Sequence, residues 1–329
     1  MTLTCWALTE GFAGMENQCL GLAEALDIPC EIKRVRRPRA PWTYLPPAWW
    51  PKPLESVSEG AALTPPWPDV LISSGRGSVA AALAVKQASG GKTFAVHIQT
   101  PYVDPARFDL VVVPEHDALR GPNVLVARTA LHRITKEKLD EAARHFRPLF
   151  ASLPRPLIAV LVGGSNKRQK VSPEIMTHLA DQLAEAARKS GGGLAVTPSR
   201  RTGAENEAIL RERLKNVPSY VWDGSGENPY FGLLALADAI VATGDSVSMV
   251  SEACATGKPV YIYNLGDDGR KMRRFHKGLI EAGYTRPFAG LIEQWSYEPV
   301  NETQRIAAVI RDLMKNTGGA ADSRRRYGV

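Results

Sequence analysis

Short apolar, largely β-branched runs recur along the chain, each followed by a turn bearing Gly or Ser and then a longer stretch with helical spacing. That alternation predicts β-α units on parallel sheets, because strands covered on both faces read as unbroken apolar runs. In the first half it places strands at residues 3–8, 30–35, 70–73, 94–98, 110–113 and 124–126, with helices over 16–26 and 78–87. A charged helix over 136–146 then leads into "RPLFASLPRP", where Pro148, Pro154 and Pro156 break the periodicity and mark the expected domain boundary. A second series follows, with strands at 157–162, 193–196, 220–222, 239–241 and 260–263 and helices starting near Pro173, Ala204, Pro229, Val247 and Lys271.

The expected fold is therefore α/β: two Rossmann-like doubly wound domains facing each other across a cleft, spanning 1–150 and 151–315, with a flexible basic tail over 316–329. The length of 329 residues agrees, since a single core rarely serves so long a chain. With 44% apolar and 23% charged residues, and no apolar run near the ~20 residues that span a bilayer, the composition is that of a globular protein. "MTLTCWALTEGF" lacks the features of a signal peptide, so a cytoplasmic location is expected, including a peripheral one on the inner face of the plasma membrane. The four cysteines are scattered, which supports neither a disulfide framework nor a zinc site, and no metal is expected. A formal net charge of +7 points to anionic partners.

Ligands of doubly wound folds sit beyond the carboxyl ends of the strands, so the β-to-α turns are the candidate chemistry. In "GDSVSMVSEACATGKPVYIYN", Gly244, Asp245, Ser246, Val247 and Ser248 open a helix of small residues whose first N–H groups suit a diphosphate. Glu252, further along the same helix, could accept hydrogen bonds from ribose, although an ordinary capped helix fits equally well. "VLVGGSNKRQK" brings Gly164, Ser165, Asn166, Lys167 and Arg168 to a second turn, and "VTPSRRTG" brings Ser199, Arg200 and Arg201 to a third. In the first half, "LTEGFAGMENQ" gathers Glu10, Gly14 and Glu16, where Glu16 or Glu10 is the candidate general base and helix capping the plainer role. Arg76 in "SSGRGS" and His97 in "HIQTPYVDPARFD" are further candidates on the same side, with Asp104, Glu115 and His116 as additional proton carriers.

Residues 33–53 pack Lys33, Arg34, Arg36, Arg37 and Arg39 ahead of Trp42, Tyr44, Trp49 and Trp50, among prolines. Such a stretch suits an anionic membrane face, single-stranded nucleic acid, or a loop packed on its own domain. Of the two partners, the membrane is retained and nucleic acid is not expected.

A Gly-Gly-Ser turn, a later Gly-Asp-Ser-x-Ser turn with Ser-Glu-Ala behind it, and Gly-Lys-Pro before a strand are similar to the donor half of GT-B glycosyltransferases. The peptidoglycan N-acetylglucosaminyltransferase and the non-hydrolysing UDP-N-acetylglucosamine 2-epimerases share that plan. Over nearly its whole length the chain resembles bacterial members of the mitochondrial fission (elongated-mitochondria) family, through "EGFAGMENQCLGLAEAL", "FDLVVVPEHDALRGPNVLV", "VGGSNK", "VTPSRRT" and "TGDSVSMVSEACATGKPVYI". The resemblance implies a metal-independent transfer of sugar from a nucleoside diphosphate sugar, UDP-linked, to a cell-envelope acceptor, with no cofactor beyond that substrate. It puts Glu252 on the ribose, and Ser165, Ser246, Val247 and Ser248 on the diphosphate. Where the peptidoglycan enzyme has a His in its first Gly-rich loop, this chain has Glu16. The alternatives it implies are an epimerase or hydrolase of the same fold, and a non-catalytic adaptor like the plant relatives that recruit a dynamin-like protein.

Overall fold

The computed structural model describes residues 2–166, 170–266 and 269–317. In the first half run β1 (Cys5–Thr9), α1 (Ala13–Leu26), β2 (Cys30–Val35), β3 (Val57–Glu59), β4 (Val70–Ser74), α2 (Val79–Ala88), β5 (Phe94–Ile98), β6 (Leu110–Pro114) and β7 (Val124–Ala127). They form a sheet in the order β3-β2-β1-β4-β5-β6-β7, parallel except where β3 lies antiparallel on β2. After α3 (Lys136–Phe146) come β8 (Leu157–Val162), α4 (Pro173–Ser190), β9 (Gly193–Pro198), α5 (Ala204–Leu214), β10 (Ser219–Val221), α6 (Tyr230–Leu236), β11 (Ala239–Thr243), α7 (Val247–Cys254), β12 (Val260–Tyr263), α8 (Arg270–Glu281), β13 (Thr285–Pro287) and α9 (Glu302–Thr317). The second sheet, β10-β9-β8-β11-β12-β13, is wholly parallel.

Both sheets are sandwiched, and the two-residue period of a strand explains how. Leu157, Ala159 and Leu161 of β8 enter one apolar cluster while Ile158, Val160 and Val162 enter another, all buried. In β1, Cys5 and Ala7 face one cluster and Trp6 and Leu8 the other. Helix ends follow local rules: Ser172 accepts from the Ile175 N–H ahead of Pro173, and Gly191 closes α4 in the left-handed conformation at φ 67°. In each sheet the strand order reverses at the centre, between β1 and β4 and between β8 and β11, which is where such folds collect ligands.

The division of the chain differs from the expected 1–150 and 151–315. One compact unit is the contiguous segment Ile134–Val300; the other is Met1–Arg133 rejoined by the chain from Asn301 on. The prolines near 150 interrupt helix but not packing, because Ala142 and Phe146 of α3 share a core with Phe150, Leu157 and Leu233. Gly232 of α6 is so close to Phe146 that a Cβ there would overlap its ring. Helix α9 packs on α1 in the first unit, burying Ile306, Ala307 and Ile310 beside Leu22 and Leu26. Thr303 secures it, accepting from the His132 N–H at 2.9 Å and donating to the His132 carbonyl at 3.1 Å. The expected basic tail lies outside the described residues apart from 316 and 317, which end α9.

Candidate functional site at the carboxyl edge of the second sheet

Three turns meet beyond β8, β9 and β11, and backbone and buried side chains lock them together. The Gly163 N–H donates to Thr243 Oγ1 at 2.7 Å, and the Gly164 N–H donates to Asp245 Oδ2 at 3.1 Å. Asp245 also accepts from the Thr243 hydroxyl at 2.6 Å and pairs with Arg201 at 2.7 Å, its side chain wholly buried. Arg201 in turn donates to the Gly164 carbonyl at 3.1 Å, and its own carbonyl accepts the Ser165 N–H at 3.0 Å. Thr202 donates to the Gly163 carbonyl and accepts from the Ser199 N–H. No side chain would fit at either glycine: a Cβ on Gly163 would overlap the Asp245 carboxylate, and one on Gly164 the Arg201 carbonyl.

The Asp245 carboxylate is thus turned inward, holding the turns together. Its charge is spent inside the protein, on one cation and two hydrogen-bond donors. Gly244 is buried against His276 and donates its N–H to the Tyr263 carbonyl. Ser246 caps α7, accepting from the Met249 N–H at 3.3 Å, so its hydroxyl serves the helix first. Val247 and Ser248 lie in the first turn, where backbone N–H groups have no helical acceptor. Ser165 is half-buried and accepts from the Val171 N–H at 3.0 Å, which leaves its proton to donate. Ser199 accepts from the Arg201 N–H at 3.2 Å, while Asn166 and Arg200 are exposed. Lys167 and Arg168 lie outside the described residues.

Glu252 is 8% exposed, and the hydroxyl of Tyr230, at the start of α6, donates to it. Burial raises its carboxyl from 4.5 to about 7, against the opposing pull of that hydrogen bond. Burial raises the Tyr230 phenol well above its ordinary value, with the Glu252 charge adding to the effect. Nothing in the spacing of the sequence pointed to Tyr230 as the partner of Glu252. Thr202 and Thr243 were also missed as site-building residues; their only signal is a Thr at the far end of a β-to-α turn and one at the end of a strand.

In the first unit the expected base candidates are both held by arginines. Glu16 binds Arg34 at 2.6 and 3.2 Å and accepts from Thr9 at 3.3 Å; the Arg34 bonds hold its carboxyl below the ordinary value despite partial burial. Such a group is ionised at neutral pH but a weaker base for it. Glu10 binds Arg37 at 2.6 and 3.0 Å and accepts the Gly77 N–H at 3.0 Å. Gly14 lies in the first turn of α1, and Arg76 donates to the Leu45 carbonyl at 2.9 Å. His97 requires a correction. It is fully buried in β5, its Nδ1 is 2.8 Å from the Ser73 hydroxyl, and burial drives its pKa down to about 3, so it is a neutral core residue that no acceptor reaches. Asp104 caps a short turn through the Ala106 N–H, and Glu115 pairs with Arg128 at 3.7 Å. Among the described residues no cluster of His, Cys, Asp or Glu is arranged to hold a metal ion, and no helix is long and apolar enough to cross a membrane.

The fold is of the GT-B type. Over 95% of this chain and all of the other, it matches UDP-GlcNAc 2-epimerase of Methanocaldococcus jannaschii with a TM-score of 0.59 at 13% identity. The same enzyme solved with UDP-GlcNAc and UDP matches with a TM-score of 0.55 at 14% identity, over 96% of this chain and 100% of that one. The glycosyltransferase SnogD of Streptomyces nogalater matches with a TM-score of 0.51 at 15% identity, over 96% and 95% of the two chains. In sequence, the chain is 30% identical to the mitochondrial fission protein ELM1 of Arabidopsis thaliana, over 92% of this chain and 89% of that protein. Residues 13–314 match the profile of the family described as Mitochondrial fission ELM1, and the chain belongs to that family.

Proposed function

We propose that the second unit binds a nucleoside diphosphate sugar, UDP-linked, and that the protein transfers the sugar to a cell-envelope acceptor taken by the first unit. The observation that carries this reading is the mutual locking of the three turns after β8, β9 and β11. It spends Asp245 and Arg201 internally and leaves Ser165, Arg200 and the first turn of α7 as the polar surface of that edge. The Val247 and Ser248 N–H groups and the helix dipole would take the diphosphate, and Glu252, sharing its Tyr230 bond, the ribose. Two structural neighbours, an epimerase solved with UDP-GlcNAc and UDP and a glycosyltransferase, support the same ligand class. In the transfer, the acceptor oxygen bonds to the anomeric carbon as the bond to the diphosphate breaks, and the acceptor proton passes to a base. Preorganised N–H donors and Arg200 would stabilise the charge on the leaving diphosphate without a metal ion.

One observation favours a second reading, a non-catalytic adaptor: both candidate bases of the first unit, Glu16 and Glu10, are paired with arginine. Thermal shift against UDP, UDP-GlcNAc, UDP-glucose and the corresponding ADP and GDP compounds tests the shared step. A ligand at about 100 times its Kd adds about 2.7 kcal/mol, several degrees of Tm, and Arg200→Ala should reduce that rise. Chromatography of the nucleotide then separates the readings. Turnover only with envelope lipid indicates transfer, turnover of donor alone indicates epimerisation or hydrolysis, and binding without turnover indicates an adaptor. No shift with any nucleotide overturns both enzymatic readings and favours an adaptor.

A further inference from the structure

The basic, aromatic stretch over 33–53 is sorted by the fold into inward and outward residues. Lys33 points inward: it is 1% exposed, lies 4.1 Å above the Trp6 ring and donates to Glu31 and the Ala61 carbonyl. Arg34 is taken by Glu16 and Glu59, and Arg37 by Glu10. Trp50 is buried, its indole N–H donating to the Leu45 carbonyl at 3.0 Å. What remains outside is specific. Arg36 and Arg39 are exposed and have no acidic partner among the described residues. With Arg37, Lys52 and Trp50 they line a surface pocket of about 350 Å³, in which Glu55 is the acidic member.

Between Arg39 and Lys52 the chain makes two 3₁₀ turns, Trp42–Tyr44 and Pro47–Trp49, and these hold three aromatic rings in solvent. Trp42 is 43% exposed, Tyr44 80% and Trp49 65%. Pro41, Pro46, Pro47 and Pro51 stiffen the backbone, and Arg76 ties it down through the Leu45 carbonyl. Rings held rigidly in water, next to cations without counter-charges, are unfavourable for an isolated molecule and complementary to a particular surface.

We propose that residues 36–52 of the first unit are a docking surface for an anionic phospholipid membrane, with the arginine-lined pocket seating a headgroup phosphate and Trp42, Tyr44 and Trp49 entering the headgroup layer. Amphipathic rings favour that layer, and each cation close to an anionic bilayer contributes about 1 kcal/mol. Single-stranded nucleic acid fits less well, since its repeating charge needs a groove that tracks the backbone, whereas here the cations converge on one pocket. The inference is independent of the sugar-nucleotide reading.

Co-sedimentation of the full chain with vesicles of phosphatidylcholine alone, or of phosphatidylcholine mixed with phosphatidylglycerol, tests it. Binding is expected only to the anionic vesicles. It should weaken about 30-fold in Arg36→Gln/Arg39→Gln, the loss of about 1 kcal/mol at each site. Trp42→Ser/Trp49→Ser should weaken it at least tenfold, and both double variants should keep the wild-type Tm and any nucleotide-induced shift. The two pairs are exposed and lie on different residues, so either alone decides the matter. Equal binding to neutral vesicles would overturn the proposal, as would unchanged binding in a folded variant. So would displacement from vesicles by a single-stranded oligonucleotide well beyond the effect of chloride at equal ionic strength.

Discussion

Glu252 shows how burial changes what a residue can do. Between its ordinary pKa of 4.5 and its folded value of about 7, the folded chain retains a proton that the unfolded chain has released. Stability therefore falls as pH rises through that window and levels off above it, a loss of about 3 kcal/mol from this one carboxyl. His97 acts in the opposite sense. Its folded value of about 3 makes stability rise with pH up to about 6.5, where the unfolded imidazole also becomes neutral. Glu252→Gln keeps an acceptor for Tyr230 without the titration, so its Tm should decline less than that of the wild type between about pH 5 and pH 7.5. Parallel curves for the two proteins would show that Glu252 does not titrate as described. Glu252 was legible as a site candidate from its place behind the Ser-rich turn, while His97 misled because a polar residue at a strand end looks the same whether it faces a ligand or a core.

At the scale of elements, the turns after β8, β9 and β11 act as one unit. The Gly-Gly pair was legible as a tight loop, but its reason was not: Gly163 leaves room for the Asp245 carboxylate and Gly164 for the Arg201 carbonyl. Gly164→Ala should cost about 2 kcal/mol, the usual penalty for overpacking a site that cannot give way, and should abolish any nucleotide-induced rise in Tm. Urea denaturation reads the first effect, and a change below about 0.5 kcal/mol would mean that the loop relaxes. Strands buried on both faces were readable because their apolar runs are continuous. The edge strands β3 and β13 escaped notice, each only three residues long and the latter ending in Pro287.

For the molecule as a whole, the second unit is continuous in sequence and the first is not. A fragment of residues 134–300 should therefore unfold cooperatively by itself. Residues 1–133 without α9 should not, since they would expose the apolar face of α1 that Ile306, Ala307 and Ile310 cover. Circular dichroism and dye binding on the two fragments distinguish these cases, and a cooperative transition in 1–133 alone would refute the assignment of α9 as an integral part of that unit.

Period and composition by themselves determined the alternation of strand and helix, the two parallel sheets and the edge at which ligands collect, because backbone geometry turns an apolar run or a three-to-four residue repeat directly into an element. Tertiary structure alone decided which charges are available. Arg34, Arg37, Glu10, Glu16 and Asp245 look like free surface or site groups along the chain, and each is paired inside a unit by a residue distant in sequence. Local pattern carries no record of such pairings, since they arise only when separate strand ends are brought within hydrogen-bond range.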